Sequence, residues 1–168
     1  MTCTGWNASM QVLDASSALH AWDNYPHEQL PGLWKWLAQQ IAIGELTIAA
    51  VALEEVAHKS PECAAWFKAQ RITVLQVSED ILMDALRIKK LLGIEGESYG
   101  SGVGENDLII VATARAHAVE LLTEEARQPS LHKSWRNYKI PAVCNLPEVK
   151  VSCLNFVEYL KRAGTVFG

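Results

Sequence analysis

The sequence predicts an α/β domain of three layers, a short central parallel sheet flanked by helices on both faces. Three observations predict it. Short apolar runs alternate repeatedly with helical patterns along the chain. Those runs are apolar throughout instead of alternating with polar residues, as expected of parallel strands covered on both faces. Finally, no repeat, low-complexity block or long linker divides the 168 residues. That length is one domain's worth, and such a domain buries about 70% of its unfolded surface.

The elements follow in order. Met10–Leu13 is an apolar run closed by Asp14, and 15–22 reads as helix. Pro26 and Pro31 punctuate a turn. Leu30, Leu33, Trp34, Leu37 and Ile41 then recur at helical spacing up to Gly44. A strand over 47–50 leads into a helix over 51–58 that carries Glu54 and Glu55, and Pro61 restarts a helix through Phe67. Residues 72–77 are β-rich. Ser78 is suited to cap a helix over 79–92, with Ile81, Ala85, Ile88 and Leu92 on one face. The stretch 93–104 holds five of the ten glycines and reads as a loop. A helix over 106–118, a strand over 119–123 and a polar, irregular stretch over 128–139 come next. A short element near 141–147, a strand over 149–153 and a helix over 155–163 complete the chain.

Hydrophobic residues at 49% and charged residues at 20% exclude a disordered or fibrous chain. The formal charge of −4, taken alone, argues against nucleic acid as a partner. The four cysteines, Cys3, Cys63, Cys144 and Cys153, form no C-x-x-C, and the histidines offer no zinc template. Reduced thiols in a cytoplasmic protein are the expectation. No apolar run approaches the roughly 18 residues of a membrane span, so no membrane association is expected. The opening MTCTGWNAS lacks the basic and apolar regions of a signal peptide. Residues 1–9 are read as a disordered extension ahead of a single domain over 10–168.

In open parallel sheets the site lies beyond the carboxyl ends of the strands. Acidic residues stand there four times over: Asp14 after the first strand, Glu54 and Glu55 on the helix after the second, Asp107 at the start of a later helix, and Glu125 after the strand that follows it. Clustered carboxylates repel one another unless a cation relieves them, and an all-oxygen donor set suits Mg²⁺ or Mn²⁺. Each residue also has a plainer reading. Asp14 and Asp107 sit where helix caps sit, and a first-turn glutamate is ordinarily solvated.

V-L-D-A-S-S, E-E-V, E-N-D-L-I-I-V-A-T-A-R-A-H and L-L-T-E-E, in this order, resemble the PIN-domain nucleases. The closer likeness is to a PIN-like branch often labelled a domain of unknown function, which resembles the VapC toxins of bacterial toxin–antitoxin pairs. It spans about residues 10–160 and takes in P-G-L-W-K-W-L, K-I-P-A-V-C-N-L and V-S-C-L-N. The resemblance implies a PIN-like fold and metal-dependent hydrolysis of RNA phosphodiesters, with Mg²⁺ or Mn²⁺ as cofactor and an antitoxin as partner. It makes Asp14, Glu55, Asp107 and Glu125 the acidic ligands and catalytic residues. Glu55 fits better than Glu54 because the family's glutamate precedes Leu or Val, here Val56. Glu125 stands where many members have Asp. Ser16 and Thr123 match hydroxyl positions that orient carboxylates, and hydroxyl capping is the competing reading for both. The bound ions would lower the pKa of a water, aim it in line and neutralise the phosphate. His20, His27, His58, His117 and His132 are scattered and receive no role.

Two other readings stay open. One is a catalytically silent PIN-like module that binds RNA or protein. The other is a haloacid-dehalogenase-like phosphatase, although that family's second acid, two residues after the first, is replaced here by Ser16. The glycine-rich G-E-S-Y-G-S-G-V-G has no G-K-[ST] and follows a helix, so it reads as a flexible loop at the mouth of the site, with Tyr99 available to stack on a base. Trp34 and Trp36 lie about 200° apart on a helix, so either one of them packs against a partner or a homodimer mate, or both are core in an unusual helical pair. Arg127, Lys133, Arg136 and Lys139, with Trp135, are the RNA-contact candidates, since cations hold a nucleic-acid backbone and an aromatic ring stacks on a base.

Overall fold

The computed structural model describes residues 10–168; the extension read over 1–9 lies outside the described residues. The chain forms β1 (Gln11–Leu13), α1 (Ala15–Asn24), α2 (Pro31–Ala42), β2 (Leu46–Ala49), α3 (Ala50–Lys59), α4 (Pro61–Ala69) and β3 (Thr73–Leu75). There follow α5 (Glu79–Leu91), α6 (Glu105–His117), β4 (Glu120–Leu122), α7 (Ile140–Cys144), β5 (Cys153–Leu154) and α8 (Phe156–Ala163). The strands make one parallel sheet in the order β3-β2-β1-β4-β5. The predicted α/β class with a helix-flanked parallel sheet is therefore the observed one.

Burial explains the strand composition. Every residue of β1, β2 and β4 is buried, so these strands cannot alternate, whereas the edge strand β3 begins exposed. Helix boundaries follow local chemistry. The Ser78 hydroxyl accepts from the Ile81 N–H at 3.2 Å and starts α5 where the sequence places it. Asn155 accepts from the Glu158 N–H at 2.8 Å, and the Glu158 carboxylate accepts from the Asn155 N–H at 3.1 Å, a reciprocal cap on α8.

Three expectations are corrected. The last strand is read over 149–153 but forms at Cys153–Leu154. Val149 and Val151 are buried, yet the N–H groups of Val149 and Lys150 both turn back onto the Leu146 carbonyl, and Lys150 takes φ 50°. The valines plug the core from a turn, so their apolar alternation is not a strand pattern. The second correction concerns the tryptophans. Trp34 is core, ringed by Trp22, His27 and Trp66, with its Nε1 donating to the Tyr25 carbonyl at 2.8 Å. Trp36 is half-buried against Tyr159 and Phe167 of the same chain, which is the intramolecular alternative of the two.

Third, the glycine loop clasps the 134–139 segment instead of hanging free. The Val103 N–H donates to the Tyr138 carbonyl at 2.9 Å and the Ser101 N–H to Asn137 Oδ1 at 3.0 Å. Lys89 Nζ lies 5.0 Å from the centre of the Tyr99 ring, occupying a face that was available for a base.

Candidate metal centre

The strand order reverses direction between β1 and β4, and the register there pairs Leu13 with Leu122. The next residue on each strand is Asp14 and Thr123, so the sheet alone brings these two side by side at its carboxyl edge, the switch point where open α/β sheets bind ligands. The Thr123 hydroxyl donates to Asp14 Oδ2 at 2.9 Å, and the Ser16 hydroxyl donates to the same oxygen at 2.7 Å. Ser16 in turn accepts from the Glu124 N–H at 2.9 Å, and Thr123 accepts from the Glu125 N–H at 3.2 Å. The two hydroxyls thus tie β1 to the turn after β4 and fix the Asp14 carboxylate. Asp14 is only 3% exposed and makes no side-chain cap on α1, although it holds the cap position.

Asp107 occupies the third position of α6 and accepts from the Gly104 N–H through Oδ2 at 2.8 Å. It therefore does cap its helix, with one oxygen. Glu125 Oε2 accepts from the Ile140 N–H at 2.9 Å, which anchors it to the start of α7. Glu55 is half-buried and Glu54 exposed. The difference follows from α3, whose inward face carries Ala52, Leu53 and Val56.

All four carboxylates share one electrostatic neighbourhood. Burial holds the Asp14 carboxyl above the usual range; the two hydroxyls and the Ala15 N–H oppose the rise, and Glu55 adds to it. Burial also pushes Asp107 to about 6, against the pull of the Gly104 N–H and with the charges of Asp14 and Glu55 behind it. Glu125 is pushed to about 7 by burial, against the Ile140 N–H, with Asp107 and Asp14 as repelling neighbours and Lys139 as a relieving one.

Sequence reasoning missed Lys59. Its Nζ lies 2.8 Å from Glu55 Oε1, one helical turn along α3. The hydrogen bond to Glu55 raises its pKa, and the charges of Asp14 and Asp107 add to the rise. The signal is E-x-x-x-K at 55–59, which reads as an ordinary surface helix pair.

The donor set is all oxygen and mutually repelling, the chemistry that a hard divalent cation relieves. Among the described residues, no three His, Cys, Asp or Glu side chains close on one point at ligand spacing. Two of the four carboxylates are drawn aside, Glu55 to Lys59 and Glu125 to Ile140. In donor type and electrostatics, Asp14, Glu55, Asp107 and Glu125 fit Mg²⁺ or Mn²⁺.

The cationic segment borders this edge unevenly. Lys133 and Arg136 are exposed, while Arg127 is paired with Glu158 at 2.7 Å. Lys139 is half-buried and faces Glu125, and Trp135 stacks on Tyr138 with ring centres 6.1 Å apart. Between the ends of β4 and β5 a pocket of about 210 Å³ opens beside Glu125, lined by Thr123, Arg127, Cys153 and Asn155. Among the described residues, no helix is long and apolar enough to cross a membrane.

No curated protein shows a significant match to the sequence. Several solved structures share the fold. VapBC2 from Rickettsia felis, bound to a DNA fragment from their promoter, aligns with TM-score 0.53 at 17% identity, covering 88% of this chain and 98% of that one. DNA-bound VapBC from Salmonella typhimurium gives TM-score 0.54 at 14% identity over 87% and 97%. PAE2754 from Pyrobaculum aerophilum gives 0.51 at 16% over 96% and 100%. The fold is thus PIN-like, similar to that of these proteins. Residues 11–167 match the family described as domain of unknown function DUF4411, and the chain belongs to that family.

Proposed function

We propose that this chain is a Mg²⁺- or Mn²⁺-dependent ribonuclease of PIN type, acting as the toxin of a toxin–antitoxin pair. One observation carries the reading. Ser16 and Thr123 both donate to the buried Asp14 carboxylate at the switch point of the sheet, and the charges of Asp14, Glu55 and Asp107, from separate segments, bear on one another and on Glu125. A structural cap does not need two hydroxyls aimed at one buried carboxylate oxygen, whereas a ligand held in a fixed direction does.

Each residue then has a task. Asp14 and Asp107 would hold the cation, steadied by the two hydroxyls and by the Gly104 N–H, and Glu125 would join them on turning from the Ile140 N–H. Glu55 adds the fourth negative charge. Lys133 and Arg136 bind the RNA backbone beside the centre, with Trp135 available to stack on a base. When bound, the divalent ion supplies acidification of the attacking water and charge neutralisation at the phosphate. The likeness of fold to VapBC structures supports a cytoplasmic toxin with a cognate antitoxin as partner.

The deciding experiment compares the purified wild type with Asp14→Asn and Asp107→Asn on single-stranded RNA in Mg²⁺. The expected result is cleavage by the wild type and loss of at least about a hundredfold in each variant. Induced expression should arrest growth with the wild type and spare it with Asp14→Asn. Equal cleavage by all three proteins removes these carboxylates from the chemistry. RNA binding without cleavage by the wild type indicates the silent module instead.

A further inference from the structure

Helix α5 is apolar on two faces. Ile81, Ala85 and Ile88 turn into the core, whereas Leu82, Met83 and Leu86 remain 45%, 61% and 57% exposed. Apolar side chains scattered singly over a surface are ordinary, but these three adjoin one another at i, i+1 and i+4 of one helix. Beside them a groove of about 260 Å³ runs between α5 and α6, with Leu82, Ala85, Leu86, Tyr99, Leu108 and Ile109 as its apolar lining. The same face carries a charge at each end. Glu79 and Lys90 are exposed and enter no ion pair among the described residues. Other charges of α5 are used within the chain: Asp84 pairs with Arg87 and Arg115, and Lys89 lies on the Tyr99 ring. Residues 79 and 90 are three helical turns apart to within about 20°, so they flank the exposed apolar stripe. Each complements the helix dipole where it stands, which accounts for their signs but not for the apolar side chains between them.

We propose that this face of α5 docks a second copy of the chain, with the two α5 helices antiparallel across a two-fold axis. A two-fold contact needs a surface complementary to itself, and the order of residues supplies one. Met83 follows Glu79 by one turn and Leu86 precedes Lys90 by one turn. A single antiparallel register therefore sets Met83 of each copy on Leu86 of the other and Glu79 of each copy beside Lys90 of the other. A parallel contact would set Glu79 on Glu79 and Lys90 on Lys90, which repel. Met83, unbranched and polarizable, is suited to fill the groove of the facing copy. None of these side chains belongs to the metal centre, so the inference stands apart from that reading. The contact is one helix of 13 residues and its groove, at the small end of specific interfaces, so a dissociation constant of about micromolar order is expected.

The test is sedimentation of the full chain at concentrations up to about 100 µM, well above the expected constant, with circular dichroism to confirm that each variant is folded. The wild type should pass from monomer to dimer, and Met83→Glu should remain a monomer. Glu79→Lys and Lys90→Glu should each weaken the dimer at least about tenfold, since each sets like charges together twice across the axis. An equimolar mixture of those two variants should form a heterodimer, and the double variant carrying both reversals should dimerise like the wild type. A wild type that stays monomeric overturns the proposal and leaves the face to another kind of partner. A dimer that Met83→Glu leaves intact overturns it as well, because the contact then lies elsewhere. Weakening by both single reversals without recovery in the mixture and in the double variant overturns the antiparallel register.

Discussion

At the scale of single residues, the raised carboxyl groups make a pH dependence with a definite sign. Asp107 titrates near 6 against an ordinary 3.8, and Glu125 near 7 against 4.5. Both therefore hold protons in the folded state that the unfolded chain has already released. Stability from these groups is greatest at low pH and falls as pH rises through about 4 to 7. Asp84, Glu120 and Glu158 are shifted downward by their arginine and amide partners and act in the opposite sense. They do so only below about pH 4.5, at the lower edge of this window. In EDTA, the thermal midpoint should fall between about pH 5 and pH 8, and Asp107→Asn should flatten that fall. Saturating Mg²⁺ should raise the midpoint more at the upper pH, where the carboxylates are charged. Equal Mg²⁺ shifts at both pH values would show that these groups do not meet the ion. Asp14 was legible in the sequence because it directly follows an apolar strand run. The choice between Glu54 and Glu55 was not readable from helical spacing, since it depends on which face of α3 the sheet covers. Lys59 was hidden because E-x-x-x-K is the commonest way to decorate a solvated helix.

At the scale of elements, the alternation of strands and helices was readable because a sheet covered on both faces leaves uninterrupted apolar runs. The position of β5 was not, because Val149 and Val151 are buried from a turn and burial alone cannot distinguish a turn from a strand. The glycine segment shows the same limit. Composition indicated a loop, but only the fold indicates what the loop touches. A Cβ on Gly102 would lie 2.1 Å from the Tyr138 carbonyl oxygen and 2.5 Å from the Asn137 carbonyl carbon. These are backbone atoms and cannot rotate away. Gly102→Ala should therefore cost roughly 2–4 kcal/mol in urea unfolding. It should also impair cleavage, because the displaced segment runs through Lys139 into Ile140, the anchor of Glu125. Gly104 is the control: its Cβ would meet nothing closer than Asp107 Oδ2 at 3.8 Å. Gly104→Ala should cost less than about 1 kcal/mol. Equal losses at the two positions would mean that the clasp between the glycine loop and 134–139 does not form.

At the scale of the whole molecule, a net charge of −4 conceals a division. Residues 127–139 contain Arg127, Lys133, Arg136 and Lys139 and no acid, so the remainder of the chain carries −8. Part of that excess stands at the sheet edge, where Asp14, Glu55, Asp107 and Glu125 would be neutralised in part by the proposed ion, and Glu158 is paired with Arg127 of the basic segment. The cations of 127–139 are not equivalent either. Arg127, though exposed, is engaged by Glu158 and Lys139 is half-buried beside Glu125, whereas Lys133 and Arg136 are exposed and enter no ion pair among the described residues. Each cation that neutralises a phosphate on a single strand contributes about 0.7 to the slope of log affinity against log salt. The double charge reversal Lys133→Glu with Arg136→Glu should weaken RNA binding and flatten that slope by at least about 1.4, measured by fluorescence anisotropy between low and moderate salt. Arg127→Ala should change the slope much less, because its guanidinium already has a carboxylate. If the double reversal leaves both affinity and slope unchanged, this segment is not the RNA contact. If Arg127→Ala has the larger effect, the Glu158 pair opens on binding and the backbone runs over the pocket beside Glu125.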